Sequence, residues 1–231
     1  MGRPVADAPP LAKRVAAEGL GAFFLFAAVV GSGIMAERLS GGNMAVALLA
    51  NAIASGAILF VLITMLGPIS GAHMNPAVSL VAALRRELPW PDAAAYSLAQ
   101  IGSGIIGIWA AHLMFDLPIL QLSGRVRTGL GQWTGEAIAT FGLILTILGT
   151  VRHRPSGVPA SVALYIVAAY WFTSSTSFAN PAITIGRSLS DSFAGIAPAG
   201  VPAFVAAQLA GAGLAALVAR LLFDPPRSGL D

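Results

Sequence analysis

Two apolar stretches of this chain are too short for the company they keep. Six apolar runs, near 15–36, 44–66, 91–115, 131–151, 158–175 and 200–223, have the length of a bilayer-crossing helix, which takes about 20 apolar residues. Two more, 76–84 and 181–190, each follow the tripeptide Asn-Pro-Ala and hold only about ten residues. At 1.5 Å per residue, such a helix reaches about half way through a hydrocarbon core ~30 Å thick. Two of them entering from opposite faces and meeting end to end would cross it together. Non-helical backbone at that depth persists only where it is buried in protein or lines a cavity. The predicted fold is therefore an all-α membrane protein, with six transmembrane helices and two re-entrant half-helices in one domain over 1–231.

Composition agrees with this reading. Charged residues make up 10% of the chain, where a soluble domain carries about 25%, so most of the chain avoids water. The net charge of +3 is dispersed, with no run of five basic residues, and nucleic acid is not an expected partner; the lipid bilayer is. The absence of cysteine excludes disulfides and thiolate metal sites. The first apolar run, from Val15 to about Met35, is longer than a signal-peptide core and lacks a small-residue cleavage pattern, so it reads as a spanning helix. If both termini are cytoplasmic, nine of the 13 basic residues lie inside: Arg3, Lys13, Arg14, Arg85, Arg86, Arg152, Arg154, Arg220 and Arg227. Arg38, Arg125, Arg127 and Arg187 then lie outside. The positive-inside rule favours that orientation, in the inner membrane for a bacterial protein.

The halves repeat. AEGLGAFF around Glu18 is similar to GEAIATFG around Glu136, and GAHMNPAVSL to TSFANPAITI. The surroundings of Gln100 match those of Gln208, and LMFD at 113–116 matches LLFD at 221–224. Four landmarks recur in one order at offsets of 105 to 118 residues, a repeat signal that divides the chain into about 15–116 and 131–224. Each copy holds three spanning helices, an odd number, so the second inserts upside down relative to the first.

Taken singly, Asn-Pro-Ala is a helix start, with Asn as N-cap and Pro at the first helical position. Two copies opening half-helices in an inverted repeat direct two helix N-termini, each with partial positive charge, at one midplane point. The side-chain amides of Asn75 and Asn180 add donors there. A file of water or hydroxylated solute can use them, while cations are opposed.

Asn75, Pro76, Ala77, Asn180, Pro181 and Ala182, within SGAHMNPAV and FANPAITI, resemble the paired signatures of the aquaporin family, the major intrinsic proteins. The resemblance extends from about Val15 to Phe223. It implies six tilted helices and two half-helices around a narrow pore, a passive channel rather than an enzyme, no cofactor or metal, and a homotetramer with one pore per subunit. Residue by residue, it makes Asn75 and Asn180 central pore donors. Glu18 and Glu136 become buried carboxylates that hold the re-entrant loops, a proton-relay role being the other reading of intramembrane acids. His73 lines or gates the cytoplasmic half of the pore; it has no metal-ligand spacing to His112 or His153. Gln100 and Gln208 tie helices together.

Family members usually place an arginine directly after the second Asn-Pro-Ala, at the outer selectivity filter; here the residue is Ile183. By offset, the other filter positions are Ser55, Ala168 and Ser177, with Phe178 the alternative in the loop. These residues predict a wide outer filter without fixed charge. Arg187, one helical turn beyond Ile183, either replaces the missing cation or pairs with Asp191 on an outer rim. Arg125 and Arg127 read as solvated loop charges. ANPAITIGRSLSDSFAGIAP resembles a subgroup of bacterial aquaporins found with arsenic-resistance genes, which implies glycerol-like polyols, undissociated arsenite or organoarsenicals, and water as solutes. A strict water channel and a coupled secondary transporter are the alternatives.

Overall fold

The computed structural model describes residues 9–223. Arg3, Arg227 and the last residue of the repeat at 224 lie outside them. Eight α-helices follow in order: α1 (Leu11–Leu39), α2 (Met44–Ser70), α3 (Pro76–Leu84), α4 (Trp90–Met114), α5 (Leu130–His153), α6 (Val158–Phe172), α7 (Pro181–Arg187) and α8 (Val201–Leu222). Six have the length and apolarity of membrane spans, α6 and α8 together with the 3-10 turns Pro155–Gly157 and Pro198–Gly200 that precede them. The short members, α3 and α7, are the expected half-helices, though α7 ends at Arg187, three residues before its apolar stretch does. No strand occurs among the described residues.

The sequence long, long, short, long occurs twice. In the first half α1 packs on α2 and α4; in the second, α5 packs on α6 and α8. The close crossings run through glycine. A Cβ on Gly107 of α4 would collide with the Phe23 carbonyl of α1, and one on Gly211 of α8 with the Ala137 carbonyl of α5. Small residues let helix backbones approach where lipid supplies no hydrophobic drive for association. Gly31 and Gly33 likewise sit against Phe115 and Ala194, and Ser32 accepts a hydrogen bond from Asn51 at 2.9 Å. The faces turned away from the bundle remain apolar: Leu98, Leu164 and Leu221 are well exposed, as lipid-facing residues must be.

α3 and α7 start at the same place. Asn75 and Asn180 are their N-caps, their carbonyl oxygens accepting from Ala77 N–H at 2.9 Å and Ala182 N–H at 3.0 Å. Each Asn Nδ2 crosses to the other loop. Asn75 donates to the Ala179 carbonyl and Asn180 to the Met74 carbonyl, both at 2.8 Å. The helix N-termini therefore face one another, and the two tripeptides form one joint.

Candidate pore and its lining

Both loops leading into the joint are bent in the same way. Ala72 and Met74, three and one residues before Asn75, have φ of 50° and 48°; Ser177 and Ala179 hold the matching places before Asn180, with φ of 51° and 48°. Left-handed backbone is unfavourable for residues other than glycine and needs support from its surroundings. A carboxylate supplies it in each half. Glu18 is fully buried on α1. It accepts hydrogen bonds from Ser70 Oγ (2.6 Å), His73 N–H (2.9 Å), Met74 N–H (2.6 Å) and Gln100 Nε2 (2.8 Å). Glu136, equally buried on α5, accepts from Phe178 N–H (2.8 Å), Ala179 N–H (2.9 Å) and Gln208 Nε2 (2.6 Å). The glutamines also reach the half-helices, Gln100 to Ser79 Oγ at 3.3 Å and Gln208 to Thr184 Oγ1 at 2.8 Å. All of these donors are fixed protein groups.

A cavity of about 520 Å³ extends past this joint. At the end of the bundle where α1 begins and α8 ends, it is lined by Arg85, Glu87, Arg152 and Phe223. It passes His73, whose Nδ1 lies 3.1 Å from Ser79 Oγ, then Asn75 and Asn180. Beyond them it reaches Ser55, Tyr170, Ser177, Phe178, Ile183 and Arg187. Leu25, Val29, Leu59 and Ile63 of α1 and α2 make an apolar wall, and Leu143, Ile144 and Ile147 of α5 make another. Neither Glu18 nor Glu136 lines it.

Ser55, Ser177, Phe178 and Ile183 thus line one cavity, and Ser177 and Phe178, offered as alternatives, both border it. Ala168 does not. It is exposed on the outer face of α6, and the uncharged, wide ring expected from the sequence is corrected at this position. Val158, Val162, Ile166 and Tyr170 line the cavity at a spacing of four, one face of a helix; a residue two away from both Ile166 and Tyr170 points elsewhere. Tyr170 takes the place, its hydroxyl 3.0 Å from Ser55 Oγ. The i, i+4 register was the signal in the sequence that an offset from Asn180 overlooked.

Arg187 brings the second correction. Its side chain is 2% exposed yet borders the cavity, with its guanidinium 3.3 Å from the centroid of the Phe178 ring. Nε donates to the Ala194 carbonyl. No ion pair with Asp191 forms; Asp191 instead accepts from Gly124 N–H at 3.1 Å and donates its own N–H to Gln121 at 2.9 Å. Arg127 is not a solvated loop charge either. It donates to the carbonyls of Gly195 (2.8 Å), Ser175 (3.3 Å) and Phe193 (3.5 Å) and lies 5.1 Å from the Phe178 centroid. Burial, then the neighbouring Arg125 charge, pulls its pKa down to about 10, so it stays a cation at neutral pH. Arg125 pairs with Glu37 at 3.1 Å and remains partly exposed. His112, unassigned from sequence, ties the loops at this end. Its Nδ1 lies 3.0 Å from the Ile119 carbonyl and its Nε2 2.9 Å from Ser190 Oγ. No cluster of metal-ligating side chains occurs among the described residues.

Six spans, two half-helices joined at their N-termini, and a cavity that passes the joint define a membrane channel. Residues 6–174 match the major intrinsic protein family, and the chain belongs to that family. It is a multi-pass membrane protein and a passive channel for small solutes, not an enzyme. The chain is 55% identical to aquaglyceroporin AqpS of Rhizobium meliloti (strain 1021) over 94% of its own length and 93% of that protein's. It is 34% identical to nodulin-26 of Glycine max over 67% of its length, a match spanning 57% of nodulin-26. Among solved structures, the aquaglyceroporin from Plasmodium falciparum superposes with a TM-score of 0.68 at 21% identity, covering 90% of this chain and 95% of that one. That last likeness concerns the fold.

Proposed function

We propose that this channel passes small uncharged hydroxylated solutes: glycerol-like polyols, undissociated arsenite or organoarsenicals, and water. The carrying observation is the joint of Asn75 and Asn180, two amides and two helix N-termini set between the apolar walls made by Leu25, Val29, Leu59 and Ile63 and by Leu143, Ile144 and Ile147. Each amide commits one N–H to the opposite loop and keeps a second for a passing oxygen. The converging dipoles disfavour cations at the same point. Apolar walls accommodate the carbon skeleton of a polyol while its hydroxyls exchange between fixed donors. The name aquaglyceroporin carried by the relative at 55% identity supports polyols over water alone.

In this reading Ser55, Tyr170, Ser177, Phe178, Ile183 and Arg187 form the outer filter, and Arg187 supplies the cation that Ile183 does not. His73 lines the inner half. The chain acts as one domain of two inverted repeats, assembled as a homotetramer with both termini in the cytoplasm. A strict water channel is the narrower alternative. A coupled transporter needs a titrating site in the lumen, and the positions of Glu18 and Glu136 behind the re-entrant loops weigh against one. The test is a proteoliposome swelling series over water, glycerol, urea and arsenite. Glycerol and arsenite should enter faster than into empty vesicles, at rates indifferent to proton and sodium gradients. Passage of water alone, or flux that follows an ion gradient, overturns the reading.

A further inference from the structure

We infer that Arg187 forms a binding site for small oxyanions within the outer ring, at which such anions compete with neutral solutes. The site rests on the pore reading only in that Arg187 faces the lumen. Arg187 is 2% exposed and lines the cavity. Its Nε is used by the Ala194 carbonyl, and no hydrogen bond to its two terminal nitrogens occurs among the described residues. No carboxylate lies within ion-pair distance of it; the ion pairs of the described residues are Arg14–Asp92, Arg85–Glu87 and Arg125–Glu37. Terminal nitrogens of a buried guanidinium that lack acceptors draw one from whatever enters the cavity.

The surroundings add to the positive field. Arg127 sits against the same Phe178 ring, held by three carbonyls and by no carboxylate within ion-pair distance. The buried carboxylate of this half, Glu136, is spent on the loop N–H groups and Gln208. Stacking on Phe178 fixes the guanidinium plane, leaving its outer edge, two parallel N–H donors, for a planar or tetrahedral oxyanion. Ser177 borders the same cavity and its buried Oγ has no partner, so a rotation about its Cα–Cβ bond would bring one more donor to the site. A polyol offers this ring only neutral oxygens, whereas a carboxylate-like anion offers two charged ones at the spacing of the fork.

The experiment uses the purified full-length protein in detergent at pH 8, with ¹³C-formate as the probe and chloride holding the ionic strength. Line broadening of the formate resonance should exceed that caused by Arg187→Met at least fivefold, should be partly retained in Arg187→Lys, and should be unchanged in Arg125→Met. Nitrate should displace formate from the wild type. In proteoliposomes formate should slow glycerol entry saturably, beyond the effect of equal chloride. Equal broadening in wild type and Arg187→Met, or no displacement by nitrate from the wild type, overturns the site. Because binding is read without flux, absence of glycerol entry would sink the channel reading separately. If Arg187→Met does not fold, the nitrate displacement in wild type and the Arg187→Lys comparison decide the matter.

Discussion

At the residue scale, three side chains carry most of the testable content. Asn180 combines a cap with a lumen-facing amide. Asn180→Asp keeps the cap oxygen but loses the donor to the Met74 carbonyl and places negative charge where two helix N-termini converge. Solute flux should fall and cation exclusion weaken in vesicle conductance; unchanged flux with no cation leak would make Asn180 a cap only. Position 168 against 170 tests the register of the ring. Ala168→Trp should leave solute rates near wild type because the side chain meets lipid. Tyr170→Ala should raise the flux of the larger solutes several-fold by opening the ring and freeing Ser55. The reverse pattern would restore the offset-based assignment. The motif residues and buried carboxylates were legible in the sequence because each is tied to a short local pattern that recurs. Tyr170 and Arg187 were harder. Their roles depend on which face of α6 and which turn of α7 meets the lumen, and that is settled by packing against α2 and by the stacking of Phe178, neither of which is local.

Among elements, the re-entrant loops and the helix crossings are the parts that sequence pattern describes least directly. The six spans and two half-helices follow from run length alone, since every boundary moved by only a few residues. That glycine sits at the α1–α4 and α5–α8 crossings could not be read from glycine content, because others, such as Gly67, Gly102 and Gly213, have open space around them. Gly107→Val drives a branched side chain into the Phe23 carbonyl, so the two helices must separate. Loss of folded protein in detergent, or a markedly lower unfolding midpoint, is expected, whereas Gly102→Ala should be close to neutral. Glu136→Gln tests the loop support. The Phe178 and Ala179 N–H groups use different oxygens of Glu136; the amide replaces one of those oxygens by an NH2 donor, so the N–H facing it loses its acceptor. A buried donor left without an acceptor costs about 1–3 kcal/mol, to be read as a lower thermal midpoint. Equal stability would mean the left-handed residues hold their conformation unaided.

For the molecule as a whole, the bundle presents a basic end and an opposite end. Lys13, Arg14, Arg85, Arg86, Arg152, Arg154 and Arg220 gather where α1 begins and α8 ends. That arrangement is the basis for placing both termini in the cytoplasm. A fluorescent reporter fused at the C-terminus, one that matures only in the cytoplasm, should light up, and a phosphatase that is active only outside should stay silent. The opposite result would invert the pore and turn the Arg187 ring inward.

The bond between Glu18 and the loop before Asn75 also sets a schedule. The carboxylate leaves the ribosome about fifty residues ahead of Ser70, His73 and Met74, the groups that will solvate it. During that interval α1 must enter the membrane carrying an acid with no donors. A charge on an isolated helix raises the insertion free energy by up to about 2.5–3.5 kcal/mol, the value at the helix centre, and Glu18 is the eighth residue of α1. α1 should therefore insert poorly by itself and efficiently once α2 and the following loop have been made. In an insertion assay of truncated chains, Glu18→Leu should improve the yield of the single-helix product and harm that of the full-length channel. The same acid is thus a burden early in biosynthesis and a keystone at its end.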